Sequence, residues 1–139
     1  MPSKIMRNQC PCGSKKRYKN CCELIHKDHS KAQIPEQLMR ARYSAYALGL
    51  IDFIINTYPH EIATTLPRKE IESGTLLTWT KLVIKSSSLS QNETEGFVHF
   101  KAFYIENGAS YALEELSRFQ KVNGLWFYVD GTFPESSCN

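Results

Sequence analysis

Residues 96–133 read GFVHFKAFYIENGASYALEELSRFQKVNGLWFYVDGTF, and they give the clearest indication of secondary structure in the chain. The stretch is rich in β-branched and aromatic residues, which are typical of strands. Two Asn-Gly pairs, Asn107-Gly108 and Asn123-Gly124, favour two-residue hairpins because both central residues of such turns adopt positive φ. We therefore predict an antiparallel meander. Its four strands are Leu76 to Lys85, Gly96 to Ile105, Ser110 to Val122 and Leu125 to Phe133.

The two tight turns also predict the register of the strands. Across the first turn Phe100 lies opposite Glu115, and across the second Ser117 lies opposite Asp130. One face of the sheet is then mostly apolar, so it should face the helices. The members of this inner face are Val98, Phe100, Ala102, Tyr104, Tyr111, Leu113, Phe119, Trp126 and Tyr128.

Two carboxylates, Glu115 and Asp130, fall within this apolar face together with Ser117. The predicted register places them on neighbouring strands, roughly 5 to 8 Å apart. Carboxylates this close in an apolar pocket repel each other, so one of them can keep a proton and act as a general acid or base. We favour a structural alternative, in which Arg42 from a helix neutralises one carboxylate. The candidate cavity residues are Arg42, Tyr104, Glu115, Ser117, Trp126 and Asp130.

The opposite, outer face of the sheet alternates charged and apolar side chains. His99 lies on this face, so the register gives it no partner among the inner carboxylates. Lys101 lies opposite Glu114, which predicts an ordinary surface ion pair. Because half of this face is apolar, it is also a possible homodimer surface. The apolar members are Phe97, Phe103, Leu116, Phe127 and Val129.

Helices are predicted before the strands. Pro35 at the first helical position and an acid beside it favour a helix start at residues 34–37, and Gly49 ends the helix. Its apolar side chains recur every three or four residues, and Arg42 lies within that stripe. Two shorter helices are predicted at Ile51 to Tyr58 and Pro67 to Ser73.

Four of the five cysteines lie close together in residues 10–22, which read CPCGSKKRYKNCC. Two thiol pairs separated by eight residues can surround one Zn²⁺ if the chain reverses between them. Four thiolates leave no position for water, so we predict structural Zn²⁺ bound by Cys10, Cys12, Cys21 and Cys22. A redox role for the adjacent Cys21 and Cys22 is less favoured. The role of Cys138 stays open.

The charge of the chain is uneven. Residues 1–31 carry eight Lys or Arg and two acids, whereas the rest of the chain carries more acids than bases. Lys15, Lys16, Arg17 and Lys19 are therefore candidate partner-binding residues. Nucleic acid is a possible partner but is not favoured, because these cations also balance thiolate charge at a zinc site. We expect His26 and His29 to be solvated in a polar linker, Glu23 to Lys31.

The length of 139 residues fits one main core with a small appended module. The composition, 42% hydrophobic and 22% charged, excludes a largely disordered chain. No run approaches the roughly 20 apolar residues of a membrane helix, and residues 1–7 do not look like a signal peptide. We therefore expect a cytoplasmic protein without membrane insertion.

The cysteine segment resembles the SEC-C motif, the zinc-binding tail of the bacterial SecA translocase. This resemblance implies zinc ligands at the four clustered cysteines. It also implies a docking role, because the SecA tail contacts the SecB chaperone and the ribosome. We therefore expect a non-catalytic adaptor that docks a protein or ribosomal partner through this module.

The whole chain resembles the YchJ family of bacteria, on residues 10–22, 35–46, 113–119 and 126–131. This resemblance implies a zinc module with a polar linker at residues 1–31. Residues 32–139 would form an α+β domain of the nuclear-transport-factor-2-like (NTF2-like) superfamily, with a curved antiparallel sheet and helices around a cone-shaped cavity.

One departure lies in residues 113–119, which read LEELSRF where relatives read LHERSRF. Any role of the missing His or Arg is therefore absent here. The superfamily includes enzymes as well as binding domains, so the alternative function is a small-molecule isomerase, dehydratase or hydrolase with Glu115 or Asp130 as its base.

Overall fold

The computed structural model describes residues 8–133 as an α+β fold in which helices pack on a four-stranded antiparallel sheet. The strands follow chain order across the sheet, as predicted for a meander. The helices are α1 (Cys22–Lys27), α2 (Pro35–Leu48), α3 (Ile51–Asn56), α4 (His60–Ala63) and α5 (Arg68–Thr75). The strands are β1 (Thr78–Leu89), β2 (Glu95–Glu106), β3 (Ala109–Val122) and β4 (Leu125–Thr132).

Both Asn-Gly pairs form the predicted hairpin turns. Asn107 and Gly108 have φ values of 54° and 80°, and Asn123 and Gly124 have values of 52° and 84°. Positive φ at both central residues twists the turn in the same sense as the strands that it joins. From Glu95↔Gln120 to Glu106↔Ala109, the pairs of β2 with β3 follow the predicted register without a shift.

The second hairpin departs from its predicted register partway along. Phe119 pairs with Tyr128 as expected, but the next pair is Arg118 with Asp130, so Val129 is an extra residue in a β-bulge. Ser117 consequently lies opposite Gly131 rather than Asp130. A bulge shifts the face that each later residue occupies. The prediction that Asp130 shares a face with Glu115 is therefore wrong.

Helix α2 runs along the inner face of the sheet and begins and ends where the sequence predicts. At its start, Gln37 Oε1 accepts hydrogen bonds from the backbone N–H groups of Gln33 and Ile34, at 2.7 and 3.3 Å. Its end is capped by Gly49. The short helix α4 was not predicted. Together with α3 and α5, helix α2 also encloses a second apolar cluster around Ala45, Ile54 and Ile71.

The N-terminal segment packs into the same hydrophobic core as the helices and the sheet. Cys10, Cys12 and Cys22 are almost fully buried and belong to one apolar cluster with side chains of α2 and the sheet. The cluster around them includes Leu38, Met39, Tyr43, Leu82, Val98, Phe100, Phe119 and Trp126.

The segment that we predicted to be a solvated linker is structured. It contains α1 and a 3-10 turn at His29–Lys31. His26 lies against α2, where its Nε2 donates to the carbonyl of Ala41 at 2.8 Å. His29 Nε2 donates to the carbonyl of Trp126 at 2.6 Å. The expectation that both histidines are solvated is therefore wrong.

The outer edge of β4 is covered by residues from earlier in the chain. Besides the contact from His29, Trp126 Nε1 donates to the carbonyl of Gln33 at 3.1 Å. The Tyr128 N–H donates to the carbonyl of Thr57 at 2.8 Å. Backbone groups that would otherwise be unpaired at a sheet edge therefore have partners. Among residues 8–133, no helix is long and apolar enough to cross a membrane.

Candidate metal centre and cavity

The four predicted cysteine ligands come together in one cluster. The Sγ atoms of Cys10, Cys12, Cys21 and Cys22 all lie within 4.8 Å of one another, and those of Cys12 and Cys21 are 3.7 Å apart. Tetrahedral coordination with metal–sulfur distances of about 2.3 Å places the sulfurs about 3.8 Å apart. The cluster therefore has the size and the donor set to hold a metal ion.

A short backbone ladder builds the cysteine cluster. The Cys10 N–H donates to the carbonyl of Lys16 at 2.9 Å, and the Tyr18 N–H donates to that of Asn8 at 2.9 Å. These bonds reverse the chain between the two cysteine pairs, as predicted. Helix α1 then begins at Cys22, which fixes the second pair.

Polar groups from the loop and from α2 surround the sulfur atoms. Ser14 Oγ lies 3.2 Å from the Sγ of Cys21, and Ser44 Oγ lies 3.5 Å from that of Cys10. Hydrogen bonds from the neighbouring thiols lower the pKa of Cys12 well below its usual range. Hydrogen bonds with Cys10 and Cys12 and burial raise the pKa of Cys22, so the cluster by itself favours one thiolate, and a cation at its centre would favour the others.

The basic residues predicted to bind a partner lie on the loop between the two cysteine pairs. Lys15, Lys16, Arg17 and Lys19 are all exposed. Within residues 8–133, none of these four side chains forms an ion pair. The loop between the two cysteine pairs therefore presents four cationic groups that have no ion-pair partner in the described part of the chain.

A cavity of about 300 Å³ lies between the inner face of the sheet and helices α2 and α5. Arg42, Tyr104, Glu115 and Ser117, four of the six candidate cavity residues, line it. The other lining residues are Met39, Tyr43, Tyr46, Tyr58, Gly74, Leu77, Trp79, Phe100, Ala102, Leu113 and Tyr128. The wall of the cavity is therefore largely aromatic.

Glu115 is the acidic group of this cavity, and it is only 8% exposed. Its Oε2 accepts hydrogen bonds from Ser117 Oγ at 2.8 Å and from Tyr128 Oη at 2.6 Å. Burial, followed by the nearby carboxylate of Glu115, raises the pKa of Tyr128 above its ordinary value. Tyr128 therefore stays a neutral donor to Glu115.

Arg42 does not neutralise Glu115 or Asp130 directly, as the structural alternative proposed. Its Nη1 donates to the carbonyl of Ile54 at 2.9 Å and to Thr57 Oγ1 at 2.6 Å. Its guanidinium lies against two tyrosine rings, 4.6 Å from the centroid of Tyr58 and 4.5 Å from that of Tyr128, and the two rings contact each other edge to face. Tyr128 therefore links the two charged groups, with its ring against Arg42 and its hydroxyl on Glu115.

Asp130 and Trp126, the other two candidate cavity residues, do not line the cavity. Because of the bulge, Asp130 lies on the outer face, where both its oxygens accept hydrogen bonds from Arg118 at 3.0 Å. Trp126 is buried beneath the N-terminal segment. The two carboxylates are therefore not neighbours in the cavity, and of the two candidate bases of the enzyme alternative only Glu115 lines it.

The outer face carries a histidine–carboxylate pair that was not predicted. His99 Nε2 lies 2.7 Å from Glu114 Oε2, and Lys85 Nζ lies 3.5 Å from the same oxygen. The predicted pairing of Glu114 with Lys101 is wrong, although the two are opposite in register. The register would have placed His99 and Glu114 diagonally on one face. The homodimer through this face stays a prediction.

Family models match both parts of the chain. Residues 6–24 match the SEC-C motif, and residues 34–131 match the model described as YchJ, middle NTF2-like domain. The second match covers more than half of the chain. It includes helices α2 to α5, strands β1 to β3, and β4 up to Gly131.

Two solved structures of SEC-C motif containing proteins are similar to this fold. The solution structure of such a protein from Rhodopseudomonas palustris is 30% identical, with a TM-score of 0.80 over 90% of this chain and 98% of that one. The crystal structure of one from Psychrobacter arcticus is 25% identical, with a TM-score of 0.79 over 96% and 87%.

Curated relatives also match over most of their length. A UPF0225 protein of Vibrio parahaemolyticus is 45% identical over 94% of this chain and 78% of its own. The UPF0225 protein YchJ of Shigella dysenteriae is 37% identical over 96% and 89%. The chain therefore belongs to the UPF0225, or YchJ, family, with a SEC-C motif in front of an NTF2-like domain.

Proposed function

We propose that this protein is an adaptor in which a structural Zn²⁺ fixes a basic loop, residues 15–19, that docks an acidic protein partner. The observation that carries the proposal is that four exposed cationic side chains, without an ion-pair partner among residues 8–133, lie on the loop between the two pairs of a largely buried cysteine cluster. The cluster supplies the fixed geometry, and the cations supply the attraction.

Zinc is the ion that best suits this donor set. Four sulfur donors at tetrahedral spacing match closed structural zinc sites, which have no open position for water or substrate. Cys10, Cys12 and Cys22 are 2% exposed or less, so solvent has little access to the metal. The role of the ion is therefore to fold the segment rather than to perform chemistry.

The docking role follows from how the loop is held. Basic side chains on a flexible segment lose conformational entropy when they bind, whereas a fixed loop loses less. Arg40 adds to the rigidity, because its Nη1 donates to the carbonyl of Cys12 at 2.8 Å. Lys15 itself has a φ of 72°, a conformation that persists only where surrounding contacts enforce it.

A charge-reversal experiment tests the docking role. Intact tagged protein and a Lys15→Glu/Lys16→Glu variant are each used to capture partners from bacterial lysate across a series of salt concentrations. We expect the reversal to weaken capture of the partner by about tenfold at low salt, and the difference to shrink as salt screens the charges.

The matched control reverses two exposed lysines elsewhere, Lys69→Glu/Lys121→Glu, and should leave capture unchanged. Equal capture by both variants would contradict docking through the basic loop. Treatment with ribonuclease decides the partner class: capture that survives identifies a protein, whereas capture that is lost identifies RNA. Intact zinc content in both variants shows that the cysteine cluster has not been disturbed.

A further inference from the structure

The cavity is chemically divided along the strands. At the Glu115 end, the polar groups Arg42, Tyr58 and Tyr128 contact one another. Toward the β2–β3 turn the wall becomes apolar, with Ala102 opposite Leu113 and the rings of Trp79 and Tyr104 centred 5.1 Å apart. A molecule that fills this space meets polar groups at one end and aromatic surface at the other.

One oxygen of Glu115 is available to such a molecule. Oε2 already accepts two hydrogen bonds, whereas Oε1 accepts none from residues 8–133. No fully enclosed side-chain oxygen or nitrogen in this part of the chain lacks a partner, so Oε1 retains some accessible surface, and Glu115 lines the cavity. A ligand donor that reaches Oε1 would form a charge-assisted hydrogen bond without displacing an existing one.

The two charges at the polar end balance each other. Arg42 and Glu115 are the charged residues among those that line the cavity, and both are more than nine-tenths buried. A cationic ligand would lie near the guanidinium of Arg42, and an anionic ligand would lie near the carboxylate of Glu115. Either would leave an unbalanced charge in a largely apolar site, which is unfavourable.

We propose that this cavity binds a small amphipathic molecule of zero net charge. Its polar head, of which a carboxamide is the simplest example, donates a hydrogen bond to Glu115 Oε1. Its planar apolar body packs on Trp79 and Tyr104. The volume of about 300 Å³ is about twice the 150 Å³ cavity that accepts benzene in an engineered protein, so a two-ring body fits.

Four probes with one shared body test the proposal by calorimetric titration of the full-length, metal-loaded protein. They are 2-naphthamide, 2-naphthoate, 2-naphthylmethylamine and naphthalene. We expect the neutral amide to bind about tenfold more tightly than either charged probe or the hydrocarbon. Equal affinities for all four probes, or no binding of the amide, would overturn the proposal.

Removing one charge should change the preference in a defined direction. In Glu115→Gln the cavity keeps only the charge of Arg42, so 2-naphthoate should become the tightest of the four probes. Glu114→Gln is the matched control, because the neighbouring carboxylate lies on the outer face and should not affect selectivity. An unchanged preference for the amide in Glu115→Gln would refute the role of Glu115.

A second variant keeps the test decisive if Glu115→Gln does not fold. Ala102→Leu adds bulk at the apolar end and leaves the polar end intact. We expect it to abolish binding of the amide while the protein stays folded. Unchanged affinity in this variant would show that the probe binds elsewhere, and the proposal would fail.

Discussion

The two sides of helix α2 are packed in different ways. On one side, Arg40, Ala41 and Ser44 contact the cysteine module through short hydrogen bonds or sulfur contacts. On the other side, Arg42 and Tyr46 line a cavity of about 300 Å³. One helix therefore has the cysteine module on one side and a cavity on the other.

From this difference we expect the cysteine side to depend on the proposed metal and the cavity side to adapt more easily. With the proposed Zn²⁺ bound, metal–sulfur bonds would hold the cysteine side together in addition to the apolar cluster that the buried cysteines join. The cavity side is supported by contacts among several aromatic rings, so the loss of a single contact there leaves the others in place. We expect equivalent substitutions on the two sides of α2 to have unequal consequences.

Loss of a metal ligand should have the largest effect. Cys22→Ser removes one of the four sulfur donors, and we expect loss of bound zinc together with more than about 4 kcal/mol of stability. Metal analysis and denaturant unfolding measure the two effects. Cys138→Ser is the control, since the fifth cysteine stands far in sequence from the two cysteine pairs of residues 10–22. Normal stability of Cys22→Ser would contradict a metal-dependent side.

A second substitution tests a tight contact on the cavity side. A Cβ added at Gly131 would lie 2.5 Å from Cδ and 2.8 Å from Cγ of Glu115, whose carboxylate is held by two donors. We expect Gly131→Ala to cost up to about 3 kcal/mol in the free energy of unfolding. In a Glu115→Ala background the cost should fall, and an equal cost in both backgrounds would rule out this contact as its source.

Two alanines allow a direct comparison of the two sides. Ala41 is fully buried on α2, beside the N-terminal segment, and Ala102 is buried but lines the cavity. Replacing each by Leu adds the same volume. We expect Ala41→Leu to lower the free energy of unfolding by about 2 kcal/mol, because Ala41 is fully buried and does not line the cavity. Ala102→Leu should lower it by less than about 1 kcal/mol, because the added atoms can enter the cavity. Thermal melting of both variants measures the two losses of stability. Equal losses would contradict the expected difference between the two sides of α2.

The smallest expected effect is a pH dependence on the cysteine side. Burial lowers the pKa of His26, whose neutral ring accepts from Tyr18 at 2.7 Å and donates to Ala41. Because the unfolded histidine takes up a proton near pH 6.5 and the folded one resists it, stability should fall as the pH drops below about 6.5.

Denaturant unfolding between pH 5 and pH 8 measures this effect of His26. His26→Gln should lose part of the pH dependence, whereas His60→Gln, at an exposed position, should retain it. Protonation of the cysteine ligands also destabilises the protein at low pH, but it affects both variants equally. Identical profiles for the two variants would contradict the assignment to His26.

Much of the fold could be predicted because its determinants are local. The Asn-Gly pairs fix both turns, and the cysteine spacing identifies all four members of the cluster. The β-bulge at Val129 has no comparable signal, since it depends on how β4 packs rather than on the turn before it. That single extra residue moved Asp130 out of the predicted cavity.

The environment of the N-terminal segment could not be predicted for a similar reason. His29 and Trp126 are 97 positions apart in sequence, and no local sequence pattern indicates a contact over that separation. A polar composition around His26 and His29 suggested solvent, although each side chain had a specific carbonyl partner elsewhere in the fold. Tyr128 was predicted to face inward, but its role between Arg42 and Glu115 depends on the tertiary arrangement.

The covered edge of β4 also constrains the order of events during synthesis. The residues that cover it, His29, Gln33 and Thr57, leave the ribosome long before Trp126 and Tyr128 are made. The cysteine module can bind its ion early, but it cannot complete its contacts until the last strand has emerged. The contacts of His29, Gln33 and Thr57 with β4 are therefore expected to form only after β4 has left the ribosome.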